Sequence, residues 1–213
     1  MATSDRQVSI GFAEGKVPEG MHLCHIYSDD KERARTMARF VERGLAEGAR
    51  VLCLEDAATP EPMRRLLSEL GVDLAGREQA LLTGNAEEAY CPSGRLVPEA
   101  LLESFAVFCQ EAVTDGYAGV RITGDMSWVV RRNVDEGTLI DYEMKATDYA
   151  KANRVVAVCE YDARKFDGRT IMDILSLHPA IIVRGQLVKN PLYVEPQEFL
   201  ARRRAGASDS TRV

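Results

Sequence analysis

Short apolar segments, regularly separated along the chain, constrain the fold more than any other feature. Residues 22–27, 50–54, 119–123 and 154–161 are apolar and β-rich, and longer segments with helical periodicity separate them. Strands that alternate with helices form βαβ units, and a strand that is apolar on both faces is typical of a parallel sheet covered by helices. The pattern therefore predicts a three-layer α/β/α fold with a mostly parallel sheet.

The boundaries of the helices are indicated by capping residues. Asp29 precedes Glu32 by three positions, as in a capping box, and an apolar helical stripe then continues to Gly48. Thr59-Pro60 resembles an N-cap followed by proline at the first helical position, which predicts a second helix that ends at Gly71. The remaining predicted elements are a strand at 80–83, helices at 98–114, 138–152 and 167–177, and a hairpin of 180–183 with 186–188.

Composition divides the chain into three parts. Residues 1–19 are rich in glycine with little periodicity, which predicts an N-terminal arm. Residues 20–200 carry all the periodic segments and are expected to form one domain. Residues 201–213 are small, polar and charged, and predict a flexible tail.

Charge and hydropathy exclude several classes of protein. The 27 Lys and Arg residues against 33 Asp and Glu residues give a net charge of −6, which argues against a dedicated nucleic-acid binder because neutralising phosphates requires a basic face. No apolar run approaches the roughly 20 residues of a membrane span, and the first residues lack the apolar stretch of a secretion signal. We therefore expect a cytoplasmic protein that does not bind nucleic acid or membranes directly.

A ligand pocket is predicted at the carboxyl ends of the strands, where open α/β sheets bind their ligands. Trp128 follows a strand end, so its indole either packs a loop on the sheet or forms a wall of the pocket. The residues expected to bind a small organic ligand are Tyr27, Asp125, Trp128, Glu143, Tyr161 and Asp162.

Nucleotide hydrolysis and acyl transfer are not expected. The motif GxxxxGK[ST] is absent, and Ser28-Asp29-Asp30 places two acids where a phosphate needs backbone amides and a lysine. No GxSxG motif occurs, and His178 before Pro179 is favourably placed to cap the preceding helix. We therefore expect that the protein is not an enzyme and does not bind ATP. The alternative is a degenerate RecA-like protein that still binds a nucleotide.

A metal or haem site is a second alternative, centred on the segment HLCHIY. Strand alternation directs His22 and Cys24 to one face and His25 to the other, so at most two of these three converge. A closed zinc site needs four ligands, and Cys159 completes a set only where its strand neighbours the first one. The other interpretation is that the thiols are small core residues. The five cysteines are odd in number and lack CxxC spacing, which predicts reduced thiols.

Several sequence blocks resemble those of the MEDS domain, the methanogen/methylotroph DcmR-type sensory domain. The blocks are GMHLCHIY, GLAEGARVLCLED, RITGDMSW, IDYE, VCEYDARKF, LHPAIIV and NPLYVEPQEFL, in the expected order over residues 20 to 200. The matched positions include His22, Cys24, Tyr27, Asp125, Trp128, Glu143, Cys159, Tyr161, Asp162, His178 and Pro179. The chain has Asp125 where the family more often has Glu, and Glu160 where it often has Gln, so the polarity of the ligand stays open.

The resemblance implies a RecA/KaiC-like core that has lost its phosphate loop and acts as a ligand-sensing module. Such domains occur alone or fused to histidine kinases and to DNA-binding or sigma-factor-regulating domains. No output segment is recognised in this chain, so signalling is expected to pass through a separate protein, such as a histidine kinase, a sigma-factor regulator or a transcription regulator. A pure protein adaptor without a ligand is the remaining alternative.

Overall fold

The computed structural model describes residues 6–56 and 61–209, which form nine strands and eight helices. The strands are β1 (Gln7–Ser9), β2 (Lys16–Pro18), β3 (His22–Tyr27), β4 (Ala49–Glu55), β5 (Leu81–Asn85), β6 (Gly119–Asp125), β7 (Val155–Asp162), β8 (Ala180–Val183) and β9 (Gln186–Lys189). The helices are α1 (Asp30–Ala46), α2 (Glu61–Glu69), α3 (Ala86–Tyr90), α4 (Pro98–Thr114), α5 (Ser127–Arg131), α6 (Glu136–Asn153), α7 (Gly168–Ser176) and α8 (Pro196–Asp209).

Seven of the strands form one sheet in the order β5-β4-β6-β7-β3-β8-β9. All neighbouring pairs are parallel except β8 with β9, which form the predicted antiparallel hairpin. Strands β7 and β3 lie at the centre and are buried along almost their whole length. The sheet confirms the predicted α/β fold with a mostly parallel sheet.

Two separate apolar clusters cover the sheet, one on each face. On the first face, Leu23 and Val158 pack with Phe40 of α1 and Leu67 of α2. We call this side the α1 face. On the opposite side, the α6 face, the strands pack against α4, α6 and α7 through residues that include Ile122, Phe105, Ile140 and Ile174. These two layers of helices give the three-layer architecture that the sequence predicts.

Helix α1 begins as the sequence predicts, with one difference. The carboxylate of Asp29 accepts a hydrogen bond of 2.8 Å from the backbone N–H of Glu32, which is the expected N-cap contact. The Glu32 side chain does not complete the capping box at Asp29. Its Oε1 instead lies 3.4 Å from Nε2 of His25 and accepts a bond from Thr36. The acidic turn after β3 is therefore used to start α1.

The described residues near both ends of the chain include secondary structure that the sequence analysis did not predict. The predicted arm contains the antiparallel pair β1 and β2, whose three-residue strands are too short to show periodicity. Helix α8 continues through Asp209, beyond the predicted domain boundary at residue 200. Residues 1–5 and 210–213 of the predicted arm and tail, and the predicted N-cap Thr59-Pro60, lie outside the described residues.

Arg121 ties the N-terminal segment to the sheet. Its guanidinium donates hydrogen bonds of 2.6 Å to the carbonyl of Ser9 and 3.0 Å to the carbonyl of Phe40. It also pairs with Glu47 at 2.9 Å, although Arg121 itself is buried.

None of the helices in the described part of the chain combines the length and the apolar character that crossing a membrane requires.

We expect Arg121→Ala to lower the free energy of unfolding by about 3 kcal/mol, because the substitution leaves the carbonyls of Ser9 and Phe40 without this buried donor and leaves Glu47 paired with Arg43 alone. Urea denaturation measures the loss. Hydrogen exchange of the backbone amides in residues 7–18 should also accelerate, since the segment loses its anchor.

Arg39→Ala is the matched control, because Arg39 is half-exposed and pairs only loosely with Glu42 at 3.7 Å. Its effect should stay within about 0.5 kcal/mol. Equal losses for the two variants would contradict the anchoring role of Arg121.

Candidate functional site

Two buried polar clusters flank the central strands, one on each face of the sheet. The histidine cluster, on the α6 face, consists of His22, Glu143, Cys159 and His178. The Arg33 cluster, on the α1 face, is a network of buried side chains around Arg33 of α1. Burying a polar group lowers the stability of a protein unless the group is hydrogen-bonded or paired with an opposite charge. Clusters of such groups often form functional sites, so both clusters are candidates.

The sheet topology brings the histidine cluster together from four separate elements. Strands β3 and β7 are parallel neighbours, so His22 at the start of β3 lies beside Cys159 of β7. His178 lies in the link from α7 to β8, the other neighbour of β3, and its ring lies 4.2 Å from that of His22. Glu143 reaches the same point from α6. All four residues are buried.

The donor atoms of the cluster converge closely. Nε2 of His22 lies 3.2 Å from Sγ of Cys159 and 3.5 Å from Oε2 of Glu143. Nε2 of His178 lies 3.2 Å from the same carboxylate oxygen. One potential ligand atom from each of the four residues falls within 4.8 Å of all the others.

Neighbouring groups fix the orientation of both imidazoles. Nδ1 of His178 lies 2.8 Å from the carbonyl of Ile174, which can only accept, so Nδ1 carries the proton. Nδ1 of His22 lies 2.9 Å from Oγ1 of Thr147, whose own proton is directed to the backbone carbonyl of Glu143 or of Leu177. Both rings therefore direct Nε2 into the cluster.

The Glu143 carboxylate is held in the same way. Oε1 accepts a hydrogen bond from the hydroxyl of Tyr161, and Oε2 is left facing the histidines. Oε2 and Nε2 of His178 make no hydrogen bond, although they are within contact distance of each other. The cluster therefore contains two fully buried polar atoms that have no hydrogen-bond partner among the described residues.

Burial dominates the electrostatics of the cluster. Burial and the adjacent His178 lower the pKa of His22 to about 3, so His22 is neutral near pH 7. Burial likewise raises the pKa of the Cys159 thiol. Burial opposes the charge on Glu143, but the neighbouring His178 and His22 hold the pKa of that carboxyl below its usual range. Burial therefore disfavours the charged forms of His22 and Cys159, whereas Glu143 is a carboxylate.

The sequence analysis proposed His22, Cys24 and Cys159 as metal ligands, and the first and last of these lie in the cluster, together with Glu143 and His178, which it did not include. His22 and Cys159 meet because β3 and β7 are neighbours, the condition that the sequence analysis left open. Cys24 is level with Cys159 in the sheet register but lies outside the group of four. His178 does bond the last turn of α7, as expected of a capping residue, and its other nitrogen faces the cluster.

The Arg33 cluster occupies the opposite face. Nε of Arg33 contacts Oε2 of Glu160 at 2.7 Å, and its guanidinium also lies 3.2 Å from Oδ2 of Asp125. Tyr27 donates to Asp125 at 3.0 Å, and Thr123 donates to Glu160 at 2.6 Å. Burial opposes the charge on Glu160, but Arg33 lowers the pKa of this carboxyl to about 2. The sequence analysis did not identify Arg33, because Arg33 lies among other charged residues at the start of α1.

The six residues predicted to line one ligand pocket are divided between the two faces. Tyr27 and Asp125 belong to the Arg33 cluster, whereas Glu143 and Tyr161 contact each other on the α6 face. Trp128 is fully buried in the core of the α6 face against Tyr90, with ring centroids 5.4 Å apart. Asp162 bonds Arg164 at the end of β7. Strand alternation separates side chains that sequence position alone placed at one edge.

Two cavities border the histidine cluster. An internal cavity of about 20 Å³ lies beside it and is lined in part by His22, Cys159 and Tyr142, with room for one water-sized molecule. A larger cleft of about 430 Å³ reaches His22 and Thr147 from the start of β3. This cleft opens at the amino end of the strand, whereas the sequence analysis placed the ligand at the carboxyl ends.

We expect Glu160→Gln to lower the free energy of unfolding by about 3 kcal/mol at pH 7, because a buried partner of Arg33 loses its charge. The folded-state pKa of Glu160 lies below its usual value of 4.5, so the stabilisation is present above pH 4.5 and is lost as the pH falls towards 2. Urea denaturation should therefore show a smaller difference between the two proteins at pH 3.5 than at pH 7.

Glu69→Gln provides the control, since Glu69 is exposed and its contact with Arg65 is 3.7 Å. It should change the free energy of unfolding by less than about 0.5 kcal/mol at either pH. A Glu160→Gln deficit that is independent of pH would contradict the assignment of a charged Glu160.

Comparison with known proteins relates the chain to a family of sensory domains. Residues 21–179 match the family model described as MEDS, the MEthanogen/methylotroph, DcmR Sensory domain. The chain is also 23% identical over 160 residues to a protein named transcriptional repressor DcmR from Methylorubrum extorquens (strain DSM 6343 / CIP 106787 / DM4). This alignment covers 74% of the chain but only 57% of the relative. The matched residues contain β3 to β7 and every member of the histidine cluster. The chain thus belongs to the MEDS sensory domain family.

Proposed function

We propose that this domain senses a small ligand and regulates a separate partner protein, without catalysing a reaction. The proposal extends the sensory role of the MEDS family and the description of the relative as a transcriptional repressor. A cytoplasmic location and a partner such as a histidine kinase, a sigma-factor regulator or a transcription regulator belong to the same proposal.

The histidine cluster is the observation that carries this proposal. Leaving a buried polar group without a partner costs roughly 1–3 kcal/mol, and apolar side chains of similar size would avoid that cost. Glu143 and His178 each contain such an atom. A cluster that reduces stability is expected where it serves function. The adjacent cleft at His22 offers a small molecule access to this region.

Contacts of the cluster connect the proposed ligand site to the end of α7 and to the link after β9. Thr147 links α6 to His22 and to the carbonyl of Leu177 at the end of α7. The Asn190 amide donates to the carbonyls of Leu175 and His178, which couples the link after β9 to the same helix end. A ligand that favours one arrangement of these contacts would shift the population of that arrangement, and with it the affinity for a partner.

The start of α1 supports a role that does not involve nucleotides. In phosphate-binding folds, the free amides at a helix N-terminus hold the anion. Here Asp29 accepts from the amide of Glu32, and Asp30 pairs with Arg164, so two carboxylates lie at this position. We therefore propose that the domain binds no ATP. The RecA/KaiC-like relationship suggested by the sequence stays a prediction of ancestry.

Native mass spectrometry of protein incubated with a small-molecule extract of the source organism tests the proposal. We expect a retained organic ligand on the folded protein. Tyr193→Ala, which removes an aromatic wall of the cleft, should weaken its affinity at least about tenfold, equivalent to about 1.4 kcal/mol.

Tyr117→Ala is the matched control, because Tyr117 is also a partly buried tyrosine but packs beside Arg50, away from the cleft. It should leave ligand retention unchanged. An extract that leaves no mass on the folded protein, or a ligand that both variants retain equally, would count against a sensory site in this cleft.

A further inference from the structure

We propose that the histidine cluster binds one zinc ion through Nε2 of His22, Nε2 of His178, Sγ of Cys159 and Oε2 of Glu143. The metal site rests on the positions of the four side chains, whereas a regulatory role of the bound metal rests on the proposed function. The site differs from the set that the sequence analysis suggested, because Glu143 and His178 join His22 and Cys159 and Cys24 does not.

The distances between the donor atoms suit a tetrahedral site. Zinc bond lengths of about 2.0–2.3 Å place neighbouring ligand atoms roughly 3.3–3.8 Å apart. Three of the six separations are 3.2 Å from His22 to Cys159, 3.5 Å from His22 to Glu143 and 3.2 Å from His178 to Glu143. The other three are no longer than 4.8 Å. An ion at the centre therefore requires adjustments of a few tenths of an ångström along the first three edges and of at most about 1–1.5 Å along the others.

The outer contacts orient the donors as metal ligands are usually oriented. Metal-bound histidines commonly donate their second N–H to a backbone carbonyl or a side chain, and bound carboxylates accept a hydrogen bond on the second oxygen. His178 has this contact with Ile174, His22 has it with Thr147, and Glu143 has it with Tyr161. The free lone pair of each group consequently faces the same point.

The unpartnered atoms point to a cation at that position. Nε2 of His178 and Oε2 of Glu143 are buried and face each other at 3.2 Å, and neither atom makes a hydrogen bond. A cation bound beside them would give both atoms a partner, and its positive charge would compensate the buried carboxylate.

Charge and donor type favour zinc over other common ions. The Cys159 thiol releases one proton to solvent when its sulfur binds the metal, so a divalent ion with one thiolate and one carboxylate gives a net charge of zero. Such neutrality suits a site whose four ligands are all buried. Calcium and magnesium require mostly oxygen ligands, whereas imidazole nitrogen, thiolate sulfur and carboxylate oxygen are each ligands that zinc takes in tetrahedral sites.

Metal analysis of untagged protein tests the site, because a histidine tag would itself bind metal. The protein is unfolded, refolded under reducing conditions with zinc and then desalted. We expect one zinc per folded chain by native mass spectrometry and elemental analysis. Replacement with cobalt(II) should give a thiolate-to-cobalt charge-transfer band and the visible absorption of a tetrahedral ion.

Cys159→Ser should lose the charge-transfer band and most of the bound metal. Cys53→Ser is the matched control, since Cys53 is an equally buried strand thiol on the α1 face. It should keep both signals. X-ray absorption of the zinc-loaded wild-type protein needs no variant and should show one sulfur and three nitrogen or oxygen ligands, which keeps the test decisive where Cys159→Ser does not fold.

Substoichiometric zinc in the refolded wild-type protein would overturn the proposed site, as would zinc without a sulfur ligand or an equal loss of metal in Cys53→Ser. These failures are distinguishable from failure of the sensory function. An organic ligand retained by a protein that binds no zinc would leave that function standing, whereas stoichiometric zinc without any retained ligand would support the metal site alone.

Discussion

The parallel pairing of β3 with β7 is the constraint on which the rest of the structure depends. Its register places Cys24 opposite Cys159 and His25 opposite Glu160. Because side chains alternate between the two faces of a strand, this one register directs His22 and Cys159 towards α6 and directs His25 and Glu160 towards α1. A shift by one residue would exchange the faces and disperse both polar clusters.

The two clusters stabilise their buried carboxylates in different ways. On the α1 face, Arg33 supplies a positive charge at 2.7 Å from Glu160, and the network resembles an ordinary buried ion pair. On the α6 face, Glu143 contacts only imidazoles and a hydroxyl, and no described arginine or lysine pairs with it. Unpartnered buried atoms occur on both faces, at His25 and Glu55 on the α1 face and at Glu143 and His178 on the α6 face. The convergence of four potential ligand atoms on the α6 face is therefore the reason that the proposed function and the zinc site are assigned there.

Prediction from sequence succeeded where the signal is local. The strands at residues 22–27 and 119–123, the Asp29 cap and the C-terminal hairpin all follow from periodicity and turn chemistry, and the structure confirms them. The predicted ligand pocket was divided because position at a strand end does not give the face on which a side chain lies. Arg33 and Arg121 were missed for a related reason, since nothing local distinguishes a buried arginine from an exposed one.

By itself, the sequence determined the class of fold, the family and the type of donor available, because apolar periodicity and the motif blocks are local properties of the chain. Only the tertiary structure decided which donors meet. His22, Glu143, Cys159 and His178 are separated by up to 156 positions (178 − 22), and their convergence depends on the order of strands in the sheet and on the packing of α6. Strand order arises from long-range pairing, which no short segment of sequence specifies.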